Sequence, residues 1–100
     1  MTPGSIVLVH LAQPTEKYWG VLRQLDATGV VVRGIRLESF DEWLIELAGG
    51  ENQGLGPVTM FVPMSRVERM FLDERVGGVE SYRERFAGRV GRGVEMFLGE

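Results

Sequence analysis

A chain of 100 residues, 44% apolar and with a formal net charge of −3, can hold one compact core and little more. The absence of cysteine excludes a disulfide framework, thiolate chemistry and a zinc site built from Cys. Net acidity argues against a dedicated nucleic-acid binder of the usual basic kind.

The start, Met1-Thr2-Pro3-Gly4, lacks a basic segment followed by an apolar one. The longest apolar stretch, Ile6 to Leu11, is far short of the roughly 20 residues of a membrane span. A cytoplasmic protein without a membrane partner is therefore expected. Residues 5–12 read as a strand by their β-branched content, and Pro14 among polar neighbours marks a turn. A second strand follows at about 17–26, with Trp19, Val21 and Leu25 on one face and Arg23 interrupting it. Ala27-Thr28-Gly29 predicts a tight turn in which Gly29 can take positive φ, and Val30 to Leu37 pairs back as a hairpin. Gly20 and Gly34 fall inside these strands, where glycine marks a bend, a bulge or close backbone approach; a bend suits a small, highly curved sheet.

The period then changes. Phe40, Trp43, Leu44 and Leu47 recur at helical spacing, with Ser39 and Glu42 placed as a capping box and Gly49-Gly50 as the stop, predicting a helix at about 39–48. Glu51 to Gly56 reads as a flexible connection. Pro57 to Met64 and Arg66 to Asp73 are two further strands, and Pro63 must lie at an edge, a strand end or a bulge. After a hinge at Gly77-Gly78, Val79, Tyr82 and Phe86, and then Val94, Phe97 and Leu98, predict two short helical pieces. A partly disordered tail is the alternative reading of so many glycines.

This order of elements resembles the Sm-like barrel family, on Val7 to Leu11, Gly20-Val21-Leu22, Asp26, Met60-Phe61-Val62 and Val67 to Leu72. Gly20, Leu22 and Asp26 match the spacing of the family's first motif, and Thr59 to Glu74 its second motif of two apolar strands around a tight turn. The resemblance implies a mainly β fold: a small, strongly bent five-stranded barrel over 5–73, interrupted by a helical insertion within 39–56. A C-terminal helical tail over 78–98 completes a single domain. It also implies homo-oligomeric assembly. Where the family has an asparagine that reads a base, this chain has Val30, which can neither donate nor accept a hydrogen bond to a base edge. Pro63-Met64-Ser65 replaces the family's basic turn, so an RNA pocket is not carried over.

The sequence predicts no enzyme and no cofactor. His10, the single histidine, lies between two apolar residues, and no serine has a nucleophile-elbow context. The pairs Asp41/Glu42 and Asp73/Glu74 read as a helix start and a strand-end turn. A small enzyme thus has no support beyond ordinary carboxylates. Two interaction classes remain. The first is assembly with other copies through sheet edges, with Met60, Phe61, Met64, Met70 and Phe71 as apolar contacts. The second is RNA or single-stranded nucleic-acid binding by Lys17, Tyr18, Arg23, Arg33, Arg36, Arg83, Arg85, Arg89 and Arg92. Lys17-Tyr18 is an exposed basic–aromatic pair in that reading, and Arg23, Arg33 and Arg36 form a patch on the hairpin. An acidic block (Glu38, Asp41, Glu42, Glu46, Glu51) and the arginine-rich tail are solvated faces of opposite sign, or meet between subunits.

Overall fold

A computed structural model describes residues 1–50 and 54–98; Glu51, from the acidic block, and the first part of the predicted 51–56 connection lie outside the described residues. The chain is mainly β. Strands β1 (Ile6–Leu11), β2 (Glu16–Asp26) and β3 (Gly29–Arg36) are followed by a 3-10 turn, Leu37–Ser39, and helix α1 (Phe40–Ala48). Strand β4 (Val58–Pro63), a second 3-10 turn (Met64–Arg66) and β5 (Val67–Leu72) come next. Helices α2 (Tyr82–Val90) and α3 (Glu95–Leu98) end it, so the tail is helical in two pieces.

All neighbouring strands are antiparallel, in the order β4-β3-β2-β1-β5. The edge strands β4 and β5 do not pair, so the barrel is open rather than closed. The sheet nevertheless curls. A flat five-stranded sheet would separate its edges by roughly 19 Å. Here Val62 of β4 and Val67 and Met70 of β5 pack on one cluster with Val7, Val9, Leu11, Leu22, Val30 and Val32. The curl is permitted where Gly20 faces Gly34 across β2 and β3. A Cβ on Gly20 would lie 2.5 Å from the Gly34 Cα, so close backbone approach and bending are one feature.

The opposite face of the sheet is covered by the helices. Leu8, Trp19, Val21 and Ile35 meet Phe40, Trp43, Leu44 and Leu47 of α1, Phe86 of α2, and Val94 and Leu98. Trp19 and Phe86 stack at 6.3 Å, with Phe40 edge-on to Trp19 at 5.1 Å. Each sheet face therefore owns a core, which explains how 100 residues bury both tryptophans completely or nearly so.

Several local expectations are corrected. Ser39 belongs to the 3-10 turn with φ −99° and ψ −2°, so it is not extended as a cap must be, and its side chain makes no capping bond. The capping box sits instead at Ser81 and Glu84, at the start of α2. That helix begins at Tyr82, and Val79 pairs with Val76 in an isolated bridge across the Gly77-Gly78 turn. Gly29 does not take positive φ. It continues into β3, where a Cβ would meet the Phe61 ring at 2.7 Å. Leu25 is 41% exposed, because the β2–β3 register shifts between Leu22 and Gln24 and breaks the alternation. The acidic and basic segments meet within one chain: α1 packs on α2, and Arg85 pairs with Asp41.

Candidate functional site

The two open sheet edges are the first candidate surface. On β4, Met64 N–H donates to Thr28 C=O. Alternation along an antiparallel ladder then turns the polar groups of Val62, Met60 and Val58 toward β3 and those of Phe61 and Thr59 outward. Pro63 shares the outward phase, so its missing N–H falls where no ladder bond is lost. On β5, Asp73 N–H donates to Ile6 C=O, which by the same count turns Met70 and Leu72 outward. Phe61 and Val58 are 56% and 54% exposed on one edge, Phe71 and Leu72 40% and 41% on the other. The expected methionine contacts differ: Met60, Met64 and Met70 are half-buried against the inner cluster, leaving the two phenylalanines as the exposed apolar groups.

The candidate nucleic-acid residues do not converge. Lys17 and Tyr18 are neighbours in a strand and so point to opposite faces, which separates the expected basic–aromatic pair. Tyr18 packs against the inner cluster, and its hydroxyl accepts from Arg36 Nε at 3.3 Å. That bond and the Glu16 and Glu38 carboxylates, at 2.6 and 3.0 Å, hold the Arg36 guanidinium above its ordinary pKa. Arg33 donates to Thr59 Oγ1 at 3.2 Å and Arg23 to Leu98 C=O at 2.8 Å. No hairpin arginine patch forms, since each of the three has a partner on a different element. Arg83 pairs with Glu95; Arg85 lies over the Phe40 and Tyr82 rings, and Arg92 over Phe97. Arg89 is exposed in the last turn of α2.

A polar cleft of about 390 Å³ opens between the Pro14 turn and the end of β3, lined by Glu16, Lys17, Arg36 and Glu38. Its charges are cross-paired: Glu16 also accepts from Arg66 at 3.4 Å, and Arg66 binds the Ala12 and Pro14 carbonyls. Asp26, which carried the resemblance, closes the β2–β3 turn by accepting from Thr28 N–H at 2.9 Å and from the Thr28 hydroxyl at 2.6 Å. Those bonds hold its carboxyl below the ordinary range. Among the described residues no group of three or more His, Cys, Asp or Glu side chains is placed to hold a metal, and no helix is long and apolar enough to cross a membrane.

Two arrangements escaped sequence reasoning. Asp73, read as a turn residue, accepts from Trp19 Nε1 at 2.9 Å and from the Tyr82 and Arg83 backbone N–H groups at 2.8 Å each. It thereby ties the tail helix to the sheet. His10, read as packed or edge-lying, stands directly between Lys17 of β2 and Arg69 of β5. Its ring meets Phe71 edge-on at 4.9 Å. No spacing along the chain signals either. Set against protein-family models, curated proteins and solved structures, the chain matches none.

Proposed function

We propose that this chain is a non-catalytic, Sm-like assembly module whose copies join by pairing the free edge of β4 with the free edge of β5 in the next copy. The observation that carries this reading is the pair of open edges, each offering outward backbone groups beside exposed apolar side chains. The β4 and β5 surfaces differ, so the contact is head-to-tail, and repetition closes into a ring when the rotation allows. The strand order and the 3-10 turn between β4 and β5 support the Sm-like reading of the curled sheet. Nucleic-acid binding through the hairpin and tail arginines is less well supported, because those guanidiniums are scattered and engaged within the chain. A cytoplasmic setting belongs to the same proposal.

Native mass spectrometry at micromolar concentration is expected to return a multiple of the 11.2 kDa chain. Thr59→Pro removes an outward N–H without taking a bond from the β3–β4 ladder. That variant is expected to keep its circular dichroism spectrum and fall to monomer. A parent protein that is already monomeric would refute edge assembly.

A further inference from the structure

The cleft between the Pro14 turn and the end of β3, about 390 Å³, falls within the range of small-molecule sites, about 300–1,000 Å³. Its lining carries two carboxylates, Glu16 and Glu38, and two cations, Lys17 and Arg36, so it is neutral overall. These four groups are not equally engaged. Glu16 is fully occupied within the chain: one oxygen accepts from Arg36 at 2.6 Å and the other from Arg66 at 3.4 Å. Arg66 also donates to the Ala12 and Pro14 carbonyls, which holds the turn in place. Glu38 gives one oxygen to Arg36 at 3.0 Å, and its side chain is 73% exposed, leaving the second oxygen open. Lys17 is exposed and makes no hydrogen bond or ion pair among the described residues. Arg36 uses three of a guanidinium's five N–H groups, on Tyr18, Glu38 and Glu16, so it is fixed in place with two donors to spare.

We propose that this cleft binds a zwitterionic ligand of the amino-acid type. Its carboxylate meets Lys17 and the remaining Arg36 donors, its ammonium meets the open oxygen of Glu38, and its apolar side chain lies against Pro14 and Leu37. The choice follows from charge balance. A simple anion would face Glu38 as well as Lys17, and a simple amine would face Lys17 as well as Glu38. Only a dipolar molecule matches both. Arg36 is ordered by Glu16 and Tyr18 before any ligand arrives, which lowers the cost of binding. Lys17 and Glu38 are solvent-exposed, so each contact is modest and screened by salt, and affinity is expected in the millimolar range. No residue of β4 or β5 lines the cleft, so the site is independent of edge assembly.

The test is an NMR titration of the full ¹⁵N-labelled chain with L-phenylalanine at low salt. The backbone resonances of Thr15, Lys17, Leu37 and Glu38 are expected to shift and saturate. N-Acetyl-L-phenylalanine lacks the ammonium and phenethylamine lacks the carboxylate; each is expected to bind at least about threefold more weakly. Lys17→Gln should weaken L-phenylalanine by a similar factor without weakening phenethylamine. Glu38→Gln should weaken L-phenylalanine without weakening the N-acetyl compound, as a shared contact requires. Both side chains are exposed, so the variants should keep the parent circular dichroism spectrum. Absence of saturable shifts at these residues, or unchanged L-phenylalanine affinity in both variants, overturns the proposal. N-Acetyl-L-phenylalanine binding as tightly as L-phenylalanine would show an anion site only and overturn the zwitterion assignment.

Discussion

Gly34→Ala is expected to cost the fold about 3 kcal/mol or more, at the upper end of what overpacking does. A Cβ there would collide with the Trp19 carbonyl oxygen and lie 2.8 Å from the Gly20 Cα. Both obstacles are backbone, so no rotamer change relieves them. The strands would have to separate where Gly20 and Gly34 meet, opening the inner cluster of Val7, Val9 and Val32 on one face and uncovering Trp19 on the other. Urea denaturation measures the loss. Gly88→Ala is the control: it lies within α2 with nothing within 4 Å of its missing Cβ, and should stabilise by about 0.5–1 kcal/mol. A neutral Gly34→Ala would mean that the curl has some other cause.

The second large effect is expected at Asp73. Its carboxylate satisfies the indole N–H of the fully buried Trp19 and two of the first backbone N–H groups of α2. Ser81 supplies the next bonds, its hydroxyl accepting from Glu84 N–H at 3.0 Å and its carbonyl from Arg85 N–H. In return, the Ser81 backbone N–H and then Arg75 hold the Glu84 carboxyl below its ordinary range. Asp73→Ala leaves a buried donor without a partner, at about 1–3 kcal/mol, and removes a helix cap, at about 0.5–2 kcal/mol. A combined loss of about 2–4 kcal/mol is expected in urea denaturation, with α2 more readily cut by protease. Asp73→Asn keeps one acceptor oxygen and should lose roughly half as much. Wild-type stability and protease resistance in Asp73→Ala would show that the apolar contacts of Phe86 alone hold the tail.

Most elements were legible because their signals are local. Alternation and β-branched content located the strands to within a residue or two, and the spacing of Phe40, Trp43, Leu44 and Leu47 located α1. The sequence confined Pro63 to an edge, a strand end or a bulge, and it lies at the end of the edge strand β4, where an outward position spares its missing N–H. The failures have specific causes. Ser39 matched a capping box in type and spacing, but the preceding 3-10 turn gave it a helical backbone angle. The Leu25 face was lost to a bulge that composition does not announce. Lys17-Tyr18 looked like a pair in one dimension and is split by the pleat in three.

The amino-acid sequence by itself determined a mainly β chain with one inserted helix and a helical tail, because periodicity and turn chemistry act over a few neighbouring residues. The tertiary structure alone decided which surfaces are candidates for contact. Asp73 meets Trp19 across 54 positions. His10 acquires Lys17 and Arg69 as neighbours only through strand register. Curling the sheet gathers both edge strands around one cluster and leaves their outer backbone groups without a strand partner among the described residues. Contacts between distant residues follow from strand order and register, and those are settled by packing of the whole chain rather than by any segment of it.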